Sequence, residues 1–429
     1  MSCEVSPGTS APDPAERRRA VRRRALSWTE GGSGTANRAG LELALNTRQA
    51  ETANDPDDPR PLVELGRLLA ELGRIDEGLE ALSRATALAP EDPVVWAKLG
   101  RLQAKVARWS DVEQTQRKVL ALDPGNARAA AELCWALRRL GRLPEAIEAG
   151  RRAVSVGPDD HIGYNHLTFA LLANEDFQAA LEVCDACLER HPRDVASLAY
   201  KPTALHALGR DEEGLRLVDF ERLTWATQVD LSDERSSLDA FNRELANFAR
   251  SAPPRPFDAT QTVDILIEPH GVMTPFREMV GQALEHFLRQ LPVDPTHPFL
   301  AARPASWEVE GWATRLRQMA PQEHHFHQHG WVSGVYYVTV PASVGSGEHG
   351  REGYLEFCRF PQYSERIVQS QFLALPPRPG LLVLFPSYFY HRVAPFAPAE
   401  DAPRISIAFN LIPTDWKTAP DDASQGARD

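Results

Sequence analysis

Four of the thirteen histidines crowd into residues 324–329, in the run "PQEHHFHQHGW". In an extended chain successive side chains alternate faces, so His325, His327 and His329 would share one face and His324 the other. Imidazoles two residues apart on a strand can hold one first-row metal ion. About sixty residues on, "PGLLVLFPSYFYHRVAPF" launches an apolar strand from a Pro-Gly turn and ends it at His391, which supplies a third imidazole from a distant strand. Thirteen residues further, "RISIAFNLI" puts Arg404 and Ser406 on one strand face. An arginine facing into a β-structure is costly unless an anion meets it, and a guanidinium with a neighbouring hydroxyl suits a dicarboxylate.

These residues must be positioned by β-structure. Short apolar or alternating runs at "SGVYYVTVP", "GYLEFCRF", "RIVQSQFLAL", "GLLVLFPS" and "RISIAFNLI" are separated by Gly- and Pro-rich loops, which predicts an antiparallel sandwich or barrel. A helix near 273–291 leads into it. Upstream the texture is helical and periodic. Pro56, Pro90, Pro124, Pro158 and Pro192 recur 34 residues apart, and Gly73, Ala107, Gly141, Glu175 and Gly209 keep the same step as turn positions. That is the tetratricopeptide period, two antiparallel helices closed by a turn. Four repeats are clear; a fifth, over 193–220, is weaker, with Pro202 expected to interrupt its first helix. Such units stack into a superhelix with a concave groove suited to a peptide or protein partner.

The order His-x-His, strand, "FPS…H", "R-x-S" resembles the 2-oxoglutarate/iron(II) oxygenases. It is most similar to a bacterial subgroup that carries repeats before the oxygenase domain and a H-x-H-P-x-G-W-x-S-G-x-Y-Y-V hallmark. Here that stretch reads His325-Phe326-His327-Gln328-His329-Gly330-Trp331-Val332-Ser333-Gly334-Val335-Tyr336-Tyr337-Val338. The resemblance implies a double-stranded β-helix (jelly roll) after an α-helical solenoid. It implies Fe(II) held by His325, His327 and His391, and 2-oxoglutarate held by Arg404 and Ser406. Hydroxylation of a C–H bond in a protein, peptide or amino-acid-like substrate would follow. Two departures matter: His327 stands where the superfamily usually has a carboxylate, and Gln328 replaces the hallmark's proline. His329, or Glu356 from a neighbouring strand, could complete the site instead. A binding adaptor with a degenerate oxygenase fold is the alternative function; a halogenase would need a small residue where His327 stands.

The expected organisation is an arginine-rich, poorly ordered arm over 1–55, repeats over 56–220, a helical linker over 221–260, the oxygenase domain over 261–415 and a tail over 416–429. The net charge of −12 argues against binding to nucleic-acid phosphates. No apolar run of membrane-spanning length occurs, and the first residues lack a secretory core. Five scattered cysteines do not make a disulfide framework, so a reducing, cytoplasmic setting is expected. The Cys184–Cys187 spacing falls in a helical run and reads as a buried helix face.

Overall fold

The computed structural model describes residues 34–231, 237–255, 258–316, 324–346, 350–361, 372–396 and 403–415. The arginine-rich run at 15–28 and the tail from 416 lie outside them. The chain opens with helix Gly34–Asn54, so the second half of the expected arm is ordered. Leu45 is buried there against Leu62 and Leu65 of the first repeat, which explains why a polar-looking segment folds onto the solenoid end.

Helix pairs follow at the 34-residue step. The first helices of the five repeats are Pro59–Glu71, Pro93–Lys105, Ala127–Arg139, His161–Ala173 and Val195–Ala207. Each is capped by a side chain from Asp58, Asp92, Asn126, Asp160 or Asp194, which accepts a hydrogen bond from an otherwise orphan N–H of the first turn. The turn between the two helices of each repeat needs a residue in the left-handed region. Gly73, Gly141 and Gly209 adopt it freely, while Ala107 (φ 56°) and Glu175 (φ 63°) do so at a steric cost. Pro202 does not interrupt its helix as its position suggested. The helix runs through it to Ala207, because Pro202 and its neighbours are buried and packing outweighs one lost backbone hydrogen bond.

Among the described residues the C-terminal part contains ten strands: β1 (Trp225–Gln228), β2 (Pro254–Arg255), β3 (Asp258–Thr262), β4 (Trp307–Leu316), β5 (Val332–Thr339), β6 (Leu355–Cys358), β7 (Phe372–Leu375), β8 (Leu381–Pro386), β9 (Tyr390–Val393) and β10 (Arg404–Pro413). They form an antiparallel seven-stranded sheet, ordered β1-β8-β5-β10-β4-β3-β2, and a three-stranded sheet, ordered β7-β6-β9. His325 adds an isolated bridge to His391 on the free edge of β9. The α-then-β architecture expected from the periodicities is therefore present.

The stretch expected to link the two parts does more than link. β1 extends the larger sheet by pairing with β8, and helix Leu238–Ser251 packs on it, where Asn242 Oδ1 accepts a 2.8 Å hydrogen bond from Tyr336. A four-residue strand of mixed polarity leaves no periodic signature to read. The last repeat also enters the β-domain core. Phe220 packs against Phe357 and Phe389 with ring centroids 5.7 and 5.0 Å apart. His206 stacks on Phe360 at 4.0 Å, Arg359 donates to Val218 O, and Tyr388 donates to Leu217 O. One apolar cluster runs from Val119 to Leu411.

A shared core predicts shared unfolding. Phe220→Ala should cost about 3–5 kcal/mol, typical of an emptied aromatic site, and lower a single thermal transition for the last repeats and β-domain together. Two transitions, with only the helical one shifted, would contradict the shared core.

Candidate metal centre and anion pocket

The chemistry-bearing residues come together on the inner face between the two sheets. β10 pairs with β4 and β5 in registers that align Ser406 with Thr314 and Tyr337, Ala408 with Trp312 and Val335, and Asn410 with Glu310 and Ser333. Because cross-strand partners share a face, Arg404, Ser406 and Asn410 line the same side of β10 as Tyr337 and Ser333 of β5. The smaller sheet lies opposite and brings His391.

His325 and His391 exchange backbone hydrogen bonds at 3.0 and 2.9 Å, and His327 N donates to Ser387 O at 2.9 Å. These bonds hold three imidazoles together, with ring centroids 4.4 Å (His325–His391), 4.9 Å (His327–His391) and 5.5 Å (His325–His327) apart. One ring nitrogen from each lies within 4.8 Å of the others. No carboxylate among the described residues joins this group.

Hydrogen bonds fix which nitrogen the His391 and His327 rings offer. His391 Nδ1 lies 2.9 Å from Phe389 O; a carbonyl can only accept, so Nδ1 carries the proton and Nε2 keeps its lone pair. His327 Nδ1 lies 2.7 Å from Asn410 Oδ1 and 2.9 Å from Ser333 Oγ. Asn410 is oriented by its own Nδ2, which donates to Glu310 Oε1 at 3.0 Å, so its oxygen faces the ring. His327 thus donates through Nδ1 and also leaves Nε2 as an acceptor. Ser387 Oγ lies 2.8 Å from Ser333 Oγ and closes the network. A side chain at Gly330 would collide with it, since an added Cβ would sit 2.5 Å from Ser387 Oγ. Burial lowers the His327 pKa to about 3, with the His325 ring adding to the shift, and burial holds His391 well below its ordinary value. Neutral imidazoles with bare Nε2 atoms are what a divalent metal needs.

Arg404 sits deep, 2% exposed, with its guanidinium carbon 5.0 Å from the Tyr337 ring centroid. Burial lowers its pKa. Its Nε and the Tyr337 hydroxyl are both buried without a hydrogen-bond partner among the described residues. A buried guanidinium nitrogen and a neighbouring hydroxyl without acceptors are costly, and an anion between them could accept from both. Ser406, also buried, lies two residues on along the same face. The residues present therefore fit both Fe(II) and the distal carboxylate of 2-oxoglutarate.

The remaining candidates are placed elsewhere. His329 is exposed in a turn, and His324 stacks on Phe372. Glu356 is committed to Arg392 at 2.9 Å; on β6 it is Phe357, not Glu356, that pairs with His391. It does not supply the missing carboxylate. Cys184 and Cys187 are free thiols buried on a helix face, and burial pushes the Cys184 thiol up to about 12. Asn410, Ser333, Ser387 and the Tyr337 hydroxyl were not singled out by sequence. Asn410 left a signal, lying an even number of residues from Arg404 and Ser406.

Removing Asn410 tests the network. Asn410→Ala should weaken Fe(II) binding by about 10–100-fold, as loss of an orienting partner does, while His391→Ala should abolish it with helicity intact. Unaltered binding in either variant, measured by anaerobic titration, would contradict the assignment.

Comparison with known proteins identifies two kinds of domain in the chain. The family model described as "Putative 2OG-Fe(II) oxygenase" matches residues 310–410. Two models described as tetratricopeptide repeat match residues 53–102 and 98–161. No curated protein matches the chain significantly. Among solved structures, MamA (41 to end) from Desulfovibrio magneticus RS-1 is 24% identical, covering 42% of this chain and 97% of its own, with a TM-score of 0.34. YrrB, described as a TPR protein with an unusual peptide-binding site, is 16% identical, covering 40% of this chain and 89% of its own, with a TM-score of 0.35. At these scores neither likeness bears on overall shape or function. The chain carries tetratricopeptide repeats over residues 53–161 and, at its C-terminal end, a domain of the 2OG-Fe(II) oxygenase family over residues 310–410.

Proposed function

We propose that the protein is an Fe(II)- and 2-oxoglutarate-dependent dioxygenase that hydroxylates a C–H bond of a protein, peptide or amino-acid-like substrate. His325, His327 and His391 hold the iron in this reading, and Arg404, Ser406 and Tyr337 hold the distal carboxylate of 2-oxoglutarate. The observation that carries it is the convergence, on one inner face, of three close imidazoles with a buried guanidinium whose Nε has no partner. The strand order supports a double-stranded β-helix over 261–415. Four strands, β4-β10-β5-β8, make one layer, and the His325 segment with β9-β6-β7 makes the other. The repeat groove presents the substrate. Four described cysteines, all free thiols, fit a reducing, cytoplasmic setting, and no described helix is long and apolar enough to cross a membrane.

When bound, iron and 2-oxoglutarate supply the oxidising chemistry. The chain's own contribution is positional. Asn410 and Phe389 O fix the imidazole tautomers, Arg404 neutralises and orients the cosubstrate's far end, and Trp312, Phe385 and Phe357 wall the inner face near the imidazoles. Replacing the usual carboxylate by His327 leaves the metal one negative charge poorer. That observation favours the second reading, a ligand-binding adaptor.

Anaerobic titration with Fe(II) and 2-oxoglutarate separates the two readings. A weak visible charge-transfer band that disappears in His391→Ala supports the enzyme; no band from folded protein supports the adaptor. Arg404→Ala should raise the 2-oxoglutarate requirement by at least about 100-fold, the scale of a lost buried charge-assisted contact, with little change in iron affinity. Equal loss of both would point to misfolding.

A further inference from the structure

The chain has a surplus of twelve negative charges, yet the first helices of three successive repeats contain a single carboxylate. Helices Pro93–Lys105, Ala127–Arg139 and His161–Ala173 carry Lys98, Arg101, Lys105, Arg128, Arg138 and Arg139, with Glu132 as their one acid. Glu132 is buried; Gln116 donates to it, and Arg128 reaches it at 3.3 Å. On the second helices of the repeats, acids accompany the cations and some arginines are paired, Arg117 with Glu113 and Arg190 with Asp159. Lys98, Arg101 and Arg139 make no ion pair among the described residues, and Arg101 Nε is buried without a hydrogen-bond partner.

Helices Ala127–Arg139 and His161–Ala173 lie on the inner wall of the stack, and Arg101 of helix Pro93–Lys105 comes within electrostatic reach of Glu132 there. First helices of successive repeats pack on one another from 127–139 to 161–173 to 195–207, whereas second helices pack chiefly on first helices. A stack curves toward the side where alternate members meet. Along that wall the cations alternate with aromatic rings. Trp135 stacks on His166 with centroids 5.5 Å apart and lies 4.8 Å from Trp109, which Arg139 covers at 5.2 Å. Arg138 lies 3.8 Å over the Phe169 ring. The Trp135 Nε1 and His166 Nε2 atoms are buried without partners. Phe169 then meets Tyr200 at 5.5 Å, and Tyr200 meets Phe326 at 5.7 Å; Phe326 sits in the chain between His325 and His327.

We infer that the inner wall of the second to fourth repeats binds an acidic segment of a protein substrate, in which Glu or Asp residues alternate with apolar or aromatic ones. This deepens the hydroxylase reading and rests on it for the word substrate. The carboxylates would meet Arg101, Arg138 and Arg139, and the intervening side chains would lie on Trp135 and Phe169. The aromatic path toward Phe326 places the segment's far end beside the β-domain. Charge complementarity selects this occupant: a cation-rich wall in which Lys98, Arg101 and Arg139 make no ion pair among the described residues attracts anions locally, while the acidic molecule as a whole repels extended polyanions.

The test is fluorescence anisotropy with the full-length protein and three labelled probes: a short peptide alternating Glu with Leu and Tyr, its Lys counterpart, and an oligouridylate. The Glu peptide should bind at least about tenfold more tightly than the other two and weaken steeply with salt. Arg101→Gln with Arg139→Gln should weaken it by about tenfold or more at unchanged helicity and unchanged Fe(II) titration. No binding of the Glu peptide to the wild type, equal binding of the Lys peptide, preference for the oligouridylate, or wild-type affinity in the double variant would each overturn the inference. His391→Ala separates the two claims: peptide binding kept without metal binding shows the groove intact even if the hydroxylase reading fails.

Discussion

The site depends on a pair of backbone hydrogen bonds between His325 and His391, at 3.0 and 2.9 Å. In an antiparallel pair that exchanges both bonds, the two side chains leave from the same side of the sheet at a spacing set by backbone geometry. The imidazoles are therefore brought within reach of one ion before any metal binds. The third ring follows from the same pairing. His327, two residues on, returns to that face, and the His327–Ser387 backbone contact holds it there although the chain is already leaving the strand. Electrostatics oppose the arrangement only weakly, because burial keeps His327 and His391 neutral. The hydrogen-bond network then decides tautomers, and the two sheets decide what else can approach.

The anion pocket depends on a different constraint, the cost of an unmet buried charge. Arg404 is as enclosed as the phenylalanines around it, and no described carboxylate neutralises it. A structural arginine in such a place ordinarily comes with its acid, as Arg392 does with Glu356 one sheet away. The contrast between these two arginines, on neighbouring parts of one domain, sets Arg404, whose Nε is unpartnered among the described residues, apart from Arg392, a brace.

Much of this was legible in the sequence because it rests on regular spacing. A 34-residue step yields repeats, and the same step later appears as five capping residues from Asp58 to Asp194. The imidazole cluster and Arg404 were legible because charged or metal-ligating side chains inside apolar strands are expensive, hence conspicuous. What was missed lacks that expense on paper. Asn410 and Ser333 are ordinary polar residues in alternating strands, and only the register shows that they face inward. Tyr337 reads as core until its hydroxyl proves unpartnered. β1 is four residues long, and Gly34–Asn54 is held by a few contacts such as those of Leu45, so neither carried a period long enough to detect. Glu356 illustrates the opposite error: a carboxylate at a plausible distance in sequence was already spent on Arg392.

The merging of the last repeat with the β-domain has a consequence for how this architecture can vary. A solenoid needs something to cover the apolar end of its final unit, and here Phe357, Phe360, Tyr388 and Phe389 do so for the fifth repeat. The oxygenase domain is thus the terminal cap of the helical stack, and that end is closed to growth. Among the described residues, the opposite end is covered by the helix Gly34–Asn54, resting on the first repeat through a small patch around Leu45. Duplication or loss of whole repeats would disturb the metal site least at that amino-terminal end, lengthening or shortening the inner wall while leaving the ring of imidazoles in place.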